Sequence, residues 1–100
     1  MAWVMMARMG DFQDDMLACE HNGEHVALFR VGETIHATSN VCTHDFALLT
    51  DGFFEDNCIE CPLHAARFDV STGEVQCGPA RENLAVYPVE VRDEEIWVDL

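Results

Sequence analysis

Apolar and polar residues alternate along this chain in runs too short for helices, with the period of two expected of half-buried strands. Met16 to Cys19 and His25 to Val31 flank Asn22-Gly23, a pair that supplies the positive φ values of a tight type I′ turn. The segment therefore predicts a hairpin. Gly32 opens a second turn, followed by a short strand from Thr34 to Thr38. Near the end, Tyr87, Val89 and Val91 share one face of a strand, with Glu90 and Arg92 on the other. Pro88 belongs at an edge or bulge there, because it cannot donate a ladder hydrogen bond. Arg92 to Glu94 make a turn, after which Ile96, Val98 and Leu100 alternate with Trp97 and Asp99. The methionines Met1, Met5, Met6, Met9 and Met16 gather at the N-terminal end and predict edge-strand filling.

Asn40 to Ala80 breaks this rhythm. It holds four of the five cysteines, two histidines and two of the three prolines. Only Thr43 to Thr50 could form a helical turn or two. No repeat, low-complexity segment or linker divides the chain. The expectation is one all-β domain, residues 1–100, whose scaffold carries a loop-rich insert over approximately 40–80. Loops held on a rigid scaffold are where chemistry is usually placed.

Composition narrows the function. With 100 residues there is room for one core only, and 49% hydrophobic residues argue for a globular chain. Five Lys+Arg against nineteen Asp+Glu give a net charge of -14, with a pI near 4.3. Such a chain repels phosphates and anionic lipid heads, which excludes nucleic acid and membrane surfaces as partners and favours a basic protein surface. The longest apolar run, Ala2 to Ala7, is far short of a bilayer span or a secretion signal, so a cytoplasmic location is expected. An odd number of cysteines without a secretory segment points away from a disulfide framework. Cysteines interleaved with histidines point to a metal.

The insert contains Cys42-Thr43-His44 and, sixteen residues later, Cys61-Pro62-Leu63-His64. Each turn offers one soft thiolate and one imidazole, donors that suit iron or zinc. Two such turns can close on a single centre from opposite sides. A Cys₂His₂ zinc site would do so tetrahedrally and contribute structure only. Cys-x-His is a cramped spacing for zinc, however, and zinc does not explain the residues around the donors.

Those residues resemble the Rieske family, in which two histidines replace two cysteines on one iron of a [2Fe–2S] cluster. Val41-Cys42-Thr43-His44, Ile59-Glu60-Cys61-Pro62-Leu63-His64, Arg67-Phe68-Asp69 and Gly73-Glu74 fall where that family has them. The Gly78-Pro79-Ala80 turn is similar to the family's proline loop over the cluster. Trp3-Val4, Ala27-Leu28-Phe29 and Tyr87-Pro88-Val89 extend the likeness along the whole chain, to the small ferredoxins of bacterial aromatic-ring-hydroxylating dioxygenase systems.

The resemblance implies three small antiparallel sheets with one [2Fe–2S] cluster at a tip. Cys42 and Cys61 would hold the buried iron, and His44 and His64 the outer one. It implies a bacterial, monomeric one-electron carrier between an NAD(P)H-dependent flavin reductase and a terminal oxygenase, docking transiently near His44, His64 and Pro79. No catalytic residue is expected in the chain itself. Two ferric ions, two sulfides and two thiolates sum to zero charge, so an electron enters more easily than into a four-thiolate cluster. Potentials then span ~-150 to ~+300 mV, against ~-400 mV for plant-type ferredoxins. The low end is expected here, because Ala47, Leu63, Ala66 and Phe68 stand where high-potential relatives place a disulfide and hydroxyl donors. Two departures from the family pattern are Asp45-Phe46 after His44, where glycine is common, and Ala65 after His64, where glycine or glutamine is usual. Asp45 would lower the potential further. Phe46 is either an exposed contact for a partner or packed under its loop. Competing readings are service to another redox system, a zinc-stabilised interaction domain, and a small subunit bound tightly to a larger enzyme.

Cys58-Ile59-Glu60-Cys61 has the Cys-x-x-Cys spacing, but redox chemistry of that type needs a helix N-terminus and this segment reads as strand. Cys58 is expected as a small buried residue, Cys77 as a structural one, and Cys19 as a strand residue without a role. His21 and His25 should be solvated beside their turn, and His36 packed or exposed in its strand. Asp11, Asp14, Asp15, Asp93, Glu94 and Glu95 read as solvated turns whose summed charge steers a basic partner.

Overall fold

The computed structural model describes residues 2–43, 46–63 and 65–100. Its first four strands are β1 (Trp3–Arg8), β2 (Met16–His21), β3 (Glu24–Val31) and β4 (Thr34–Ser39). The short strands β5 (Phe53–Glu55), β6 (Cys58–Glu60), β7 (Arg67–Asp69) and β8 (Val75–Cys77) follow. The chain ends in β9 (Val86–Tyr87), β10 (Val89–Arg92) and β11 (Glu95–Asp99). They form three antiparallel sheets, in the orders β1-β11-β10, β2-β3-β4-β9 and β5-β6-β7-β8.

Two-residue turns build most of this pairing. Asn22-Gly23 (φ 49° and 84°), Asp56-Asn57 (52° and 67°) and Asp93-Glu94 (48° and 73°) all take the left-handed pair that a type I′ hairpin requires. Gly32 alone is left-handed in the β3–β4 turn, at φ 61°, as the first position of a type II′ turn demands.

The second sheet lies between two cores. Along β3, Val26, Ala27, Leu28 and Phe29 are all fully buried, which requires cover on both faces. Val26 and Leu28 join Ile35, Ala37, Ile96 and Val98 in the core beneath the first sheet. Ala27 and Phe29 face the other way, into a core built with Ile59, Phe68, Leu49, Cys42 and Cys61. Phe29 meets the Phe54 ring at 5.0 Å there. Period-two alternation thus welds the scaffold to the insert through a single strand.

Several expectations are corrected. Tyr87, Val89 and Val91 do not share one strand: Val86 and Tyr87 pair with β4, whereas Val89 onward pairs with β11. Pro88 lies at the crossing between sheets, where its missing N–H interrupts no ladder and its carbonyl still accepts from the Asp99 N–H at 3.0 Å. Val91 is left 47% exposed. Among the described residues, helical structure near Thr43–Thr50 amounts to one 3₁₀ turn, Leu49–Asp51, and Val41 and Leu48 bridge as extended backbone; His44 and Asp45 lie outside the described residues. Cys58 is half-buried rather than buried, and Cys77 is exposed at the end of β8. His21 and His25 are half-buried, with His25 3.6 Å from Glu20. Of the acidic groups, Asp15 pairs with Arg30 and Glu95 with Arg8. Met6, Met9 and Met16 pack against the cores while Met5 is exposed, and Met1 lies outside the described residues. Cys19 is half-buried in β2, and burial pushes its thiol up.

Asp69 shows why Arg67-Phe68-Asp69 and Gly73-Glu74 belong together. Its carboxylate accepts from the Ser71 hydroxyl (2.6 Å), the Ser71 N–H (2.8 Å) and the Asn57 amide (3.1 Å). Its N–H and carbonyl bond to Glu74 and Gly73. Gly73, at φ 79°, packs on the Leu84 carbonyl so closely that a Cβ would collide with it. The Ser71 hydroxyl, with the neighbouring amide donors, holds the Asp69 carboxyl below its usual value. Stability linked to this group is complete above the ordinary carboxylate value, ~3.9, and is lost as pH falls from there through the lower folded value. Asp69→Asn should therefore lower stability at pH 7 and flatten its loss as pH falls below the ordinary carboxylate value, ~3.9. Denaturant midpoints across that range check this, and an unchanged acid slope in the variant would refute it.

Candidate metal centre

Two loops carry the four predicted ligands, and the same device closes both. The first leaves β4 at Ser39 and returns at Leu48, zipped by the Val41–Leu48 bridge. Inside it, the Cys42 N–H donates to the Ala47 carbonyl at 3.0 Å. The second joins β6 to β7, and the Cys61 N–H donates to the Ala66 carbonyl at 2.7 Å. In each case the bond spans from a cysteine to the fifth residue after it. Each loop is thereby tied at its base by the cysteine that it presents.

Cys42 and Cys61, 4% and 2% exposed, lie in one core with Ala66, Phe68, Ala80 and Leu49. His44, His64 and Asp45 lie outside the described residues. Among the described residues no group of three or more metal-donating side chains comes together. What is brought together is the cysteine half of the expected donor set, on two equivalent loops facing one core. Two buried soft donors with apolar neighbours suit iron–sulfur chemistry or zinc. Ala47, Ala66 and Phe68, buried or half-buried, bring no hydroxyl to this region, and Leu63 is 54% exposed.

Residues that sequence reasoning passed over hold the loops in place. Asn40 is 1% exposed and fully bonded. Its amide donates to the Thr50 hydroxyl at 2.9 Å, its side-chain oxygen accepts the Thr50 N–H at 3.0 Å, and its carbonyl accepts the Leu49 N–H at 2.8 Å. It clamps both ends of the first loop. A polar residue directly before Val41-Cys42, with a hydroxyl residue ten positions on, was the available signal.

A third segment, residues 78–84, covers the loops. Gly78, at φ 92°, lies so close to the second loop that a Cβ would stand 2.6 Å from the Ala66 Cα. Thr43 donates its hydroxyl to the Glu82 carbonyl at 2.7 Å, tying the cover to the first loop. Asn83 accepts the Val75 N–H at 3.0 Å, and Leu84 donates to the Gly73 carbonyl at 2.8 Å. Ala80 is buried in the same core as the cysteines, while Pro79 is exposed. Phe46, on the first loop, is 76% exposed, which decides between its two readings: it is not packed under the loop. No helix among the described residues is long and apolar enough to cross a membrane.

Comparison with known proteins agrees with this geometry. The Rieske [2Fe-2S] domain profile matches residues 2–88. The ferredoxin component of the naphthalene 1,2-dioxygenase system of Pseudomonas putida is 39% identical over 99 residues, covering 98% of this chain and 95% of that one. Among solved structures, the Sphingomonas yanoikuyae B1 ferredoxin superposes with a TM-score of 0.92 at 29% identity, over 99% of each chain. A chain from the complex of reduced oxygenase and oxidized ferredoxin of carbazole 1,9a-dioxygenase superposes with a TM-score of 0.89 at 34% identity, covering 96% of this chain and 91% of that one. The matched cysteine loops, the three sheets and this likeness over nearly the full length agree: the chain belongs to the Rieske [2Fe-2S] family, as an electron-carrying ferredoxin component of aromatic-ring dioxygenase systems whose cofactor is a Rieske-type cluster.

Proposed function

We propose that Cys42, His44, Cys61 and His64 hold the cluster. On it the chain carries single electrons from an NAD(P)H-dependent flavin reductase to a terminal ring-hydroxylating oxygenase, as a transiently docking bacterial cytoplasmic monomer. The observation that carries this reading is the pair of cysteine-closed loops converging on one core. The oxygenase–ferredoxin complex of a 34% identical relative supports an oxygenase as acceptor.

When bound, the cluster takes up and gives back one electron at a time. The chain's own residues set the conditions for that exchange. Cys42 and Cys61, buried in an apolar core, would hold one iron and shield it from water. His44 and His64, as neutral donors, would hold the other iron and favour its ferrous state. Ala66 and Phe68 withhold the hydroxyl donors that would stabilise added charge, which keeps the potential at the low end, within reach of a reduced flavin. The cover segment at 78–84 closes the site from the side.

Ala65, in the second ligand loop, sits at φ 61°, where an L-residue with a Cβ is disfavoured by ~1 kcal/mol or more and glycine is not. Ala65→Gly should therefore leave the spectrum unchanged and leave stability level or raise it by up to about 1 kcal/mol, less the added freedom of glycine in the unfolded chain. Thermal unfolding of the cluster-loaded protein measures this; a loss of stability would show that the Ala65 methyl group is needed for packing.

Replacing His64 by Ala should abolish the visible and EPR spectra together with electron transfer, since one iron loses a donor. His64→Cys is the finer test. A thiolate in place of an imidazole adds one negative charge, so a retained cluster should lose its Rieske EPR signature and shift in potential toward the ~-400 mV of all-cysteine clusters. Metal and sulfide counts of two each, with a rhombic EPR signal only after reduction, would accompany the native protein. An unaltered spectrum in either His64 variant would overturn the ligand assignment, and one zinc without sulfide would overturn the carrier.

A further inference from the structure

The chain has five basic residues, all arginines, against nineteen acidic ones. Arg8 pairs with Glu95, Arg30 with Asp15 and Arg92 with Glu90. Arg67 is half-buried in β7, with its Nε sealed from solvent. Arg81 differs from all of these. It is exposed, and among the described residues it forms neither a hydrogen bond nor an ion pair. Of the five, it alone lies on the cover segment over the cysteine loops.

Its position is built rather than incidental. On its N-terminal side Gly78 lies against Ala66 and Ala80 is buried. On its C-terminal side the Glu82 carbonyl accepts from Thr43, Asn83 is bonded to Val75, and Leu84 to Gly73. With both flanks pinned, the Arg81 backbone is fixed, and its side chain lines a cleft of about 520 Å³ together with Thr43, Gly78, Pro79 and Glu82. Glu82 is the one acidic residue of that lining, and Arg81, with no ion pair to it or to any other described residue, keeps its guanidinium open to a carboxylate from outside.

We propose that Arg81 is a positioning residue for the electron acceptor: a carboxylate side chain of the terminal oxygenase enters this cleft and pairs with its guanidinium. The proposal rests on the carrier reading above. The acceptor is favoured over the reductase by linkage. A cation beside the site stabilises the added electron, and a carboxylate that neutralises it makes the electron easier to release. Delivered by the reductase, the same carboxylate would oppose loading. Delivered by the oxygenase, it promotes transfer at the moment of docking. The otherwise acidic surface brings a basic docking face to the protein from a distance, and Arg81 supplies the one inverted pair that fixes how it lands.

The test uses the cluster-loaded protein with a reductase and an oxygenase that the native chain is first shown to couple. If the native chain reduces no ring-hydroxylating oxygenase, the carrier reading itself fails. If it does, Arg81→Glu should keep the visible and EPR spectra and full reduction by dithionite. Its KM for oxygenase reduction should rise about tenfold or more, while its KM for the reductase changes less than about threefold. Arg81→Lys should recover most of the loss, and Arg81→Gln should fall between, which keeps the test decisive if charge reversal harms the cluster. An unchanged KM for the oxygenase in the Glu or Gln variant overturns the proposal. So does an equal rise in the KM for the reductase.

Discussion

The structure depends on the two backbone hydrogen bonds that close the cysteine loops, Cys42 N–H to Ala47 and Cys61 N–H to Ala66. Each uses the amide of the residue that presents the sulfur, so position and closure cannot vary independently. Either bond alone would place one thiol at a core edge. Together they set two thiols into one apolar region, where charged sulfur has little solvent and needs a metal to compensate it. Burial would therefore tie a metal to the fold: on the proposed assignment, the apolar packing that excludes water from Cys42 and Cys61 is compensated when both sulfurs bind it.

Those bonds hold only if the ladders behind them do. The second loop is clamped between Glu60 and Arg67, cross-strand partners in a sheet of three-residue strands. Such short strands are marginal alone. They persist because Ile59 and Phe68 pack on Phe29, Ala27 and Leu49, and so on the long strand β3. From there the opposite face of β3 continues into the core under the first sheet, through Val26 and Leu28. Strand β3 is thus the beam on which the insert hangs, which is why four successive residues, Val26 to Phe29, are buried on alternating faces.

Local chemistry was legible in the sequence wherever it alone decides structure. Asn22-Gly23 and Gly32 announce their turns because only certain residues tolerate left-handed φ. Two kinds of feature were not legible. Asp56-Asn57 and Asp93-Glu94 adopt the same left-handed pair with poorer turn residues, driven there by the pairing of their strands. The break at Pro88 follows from two sheets competing for one segment, a tertiary fact that alternation cannot encode. Asn40 and Thr50 are a further case: ten residues apart, they meet only after the first cysteine loop has closed. Cys58 and Cys77 looked structural by composition, yet both lie on the outward side of their strands, because Ile59 and Phe68 occupy the inward one.

Charge acts on this protein at two ranges, and the distinction explains how so acidic a chain can accept an electron. At physiological salt the screening length is about 8 Å, so most of the net charge is felt by an approaching partner rather than by the metal centre. Acidic groups on exposed turns, such as Asp14, Asp15, Asp93 and Glu94, shape that encounter. Around Cys42 and Cys61 the described core is apolar: alanine, leucine and phenylalanine side chains, with backbone amides fixed by the loop bonds. Separating the two ranges lets the surface be tuned for partners without moving the potential, provided that charges placed on the cover segment are kept scarce.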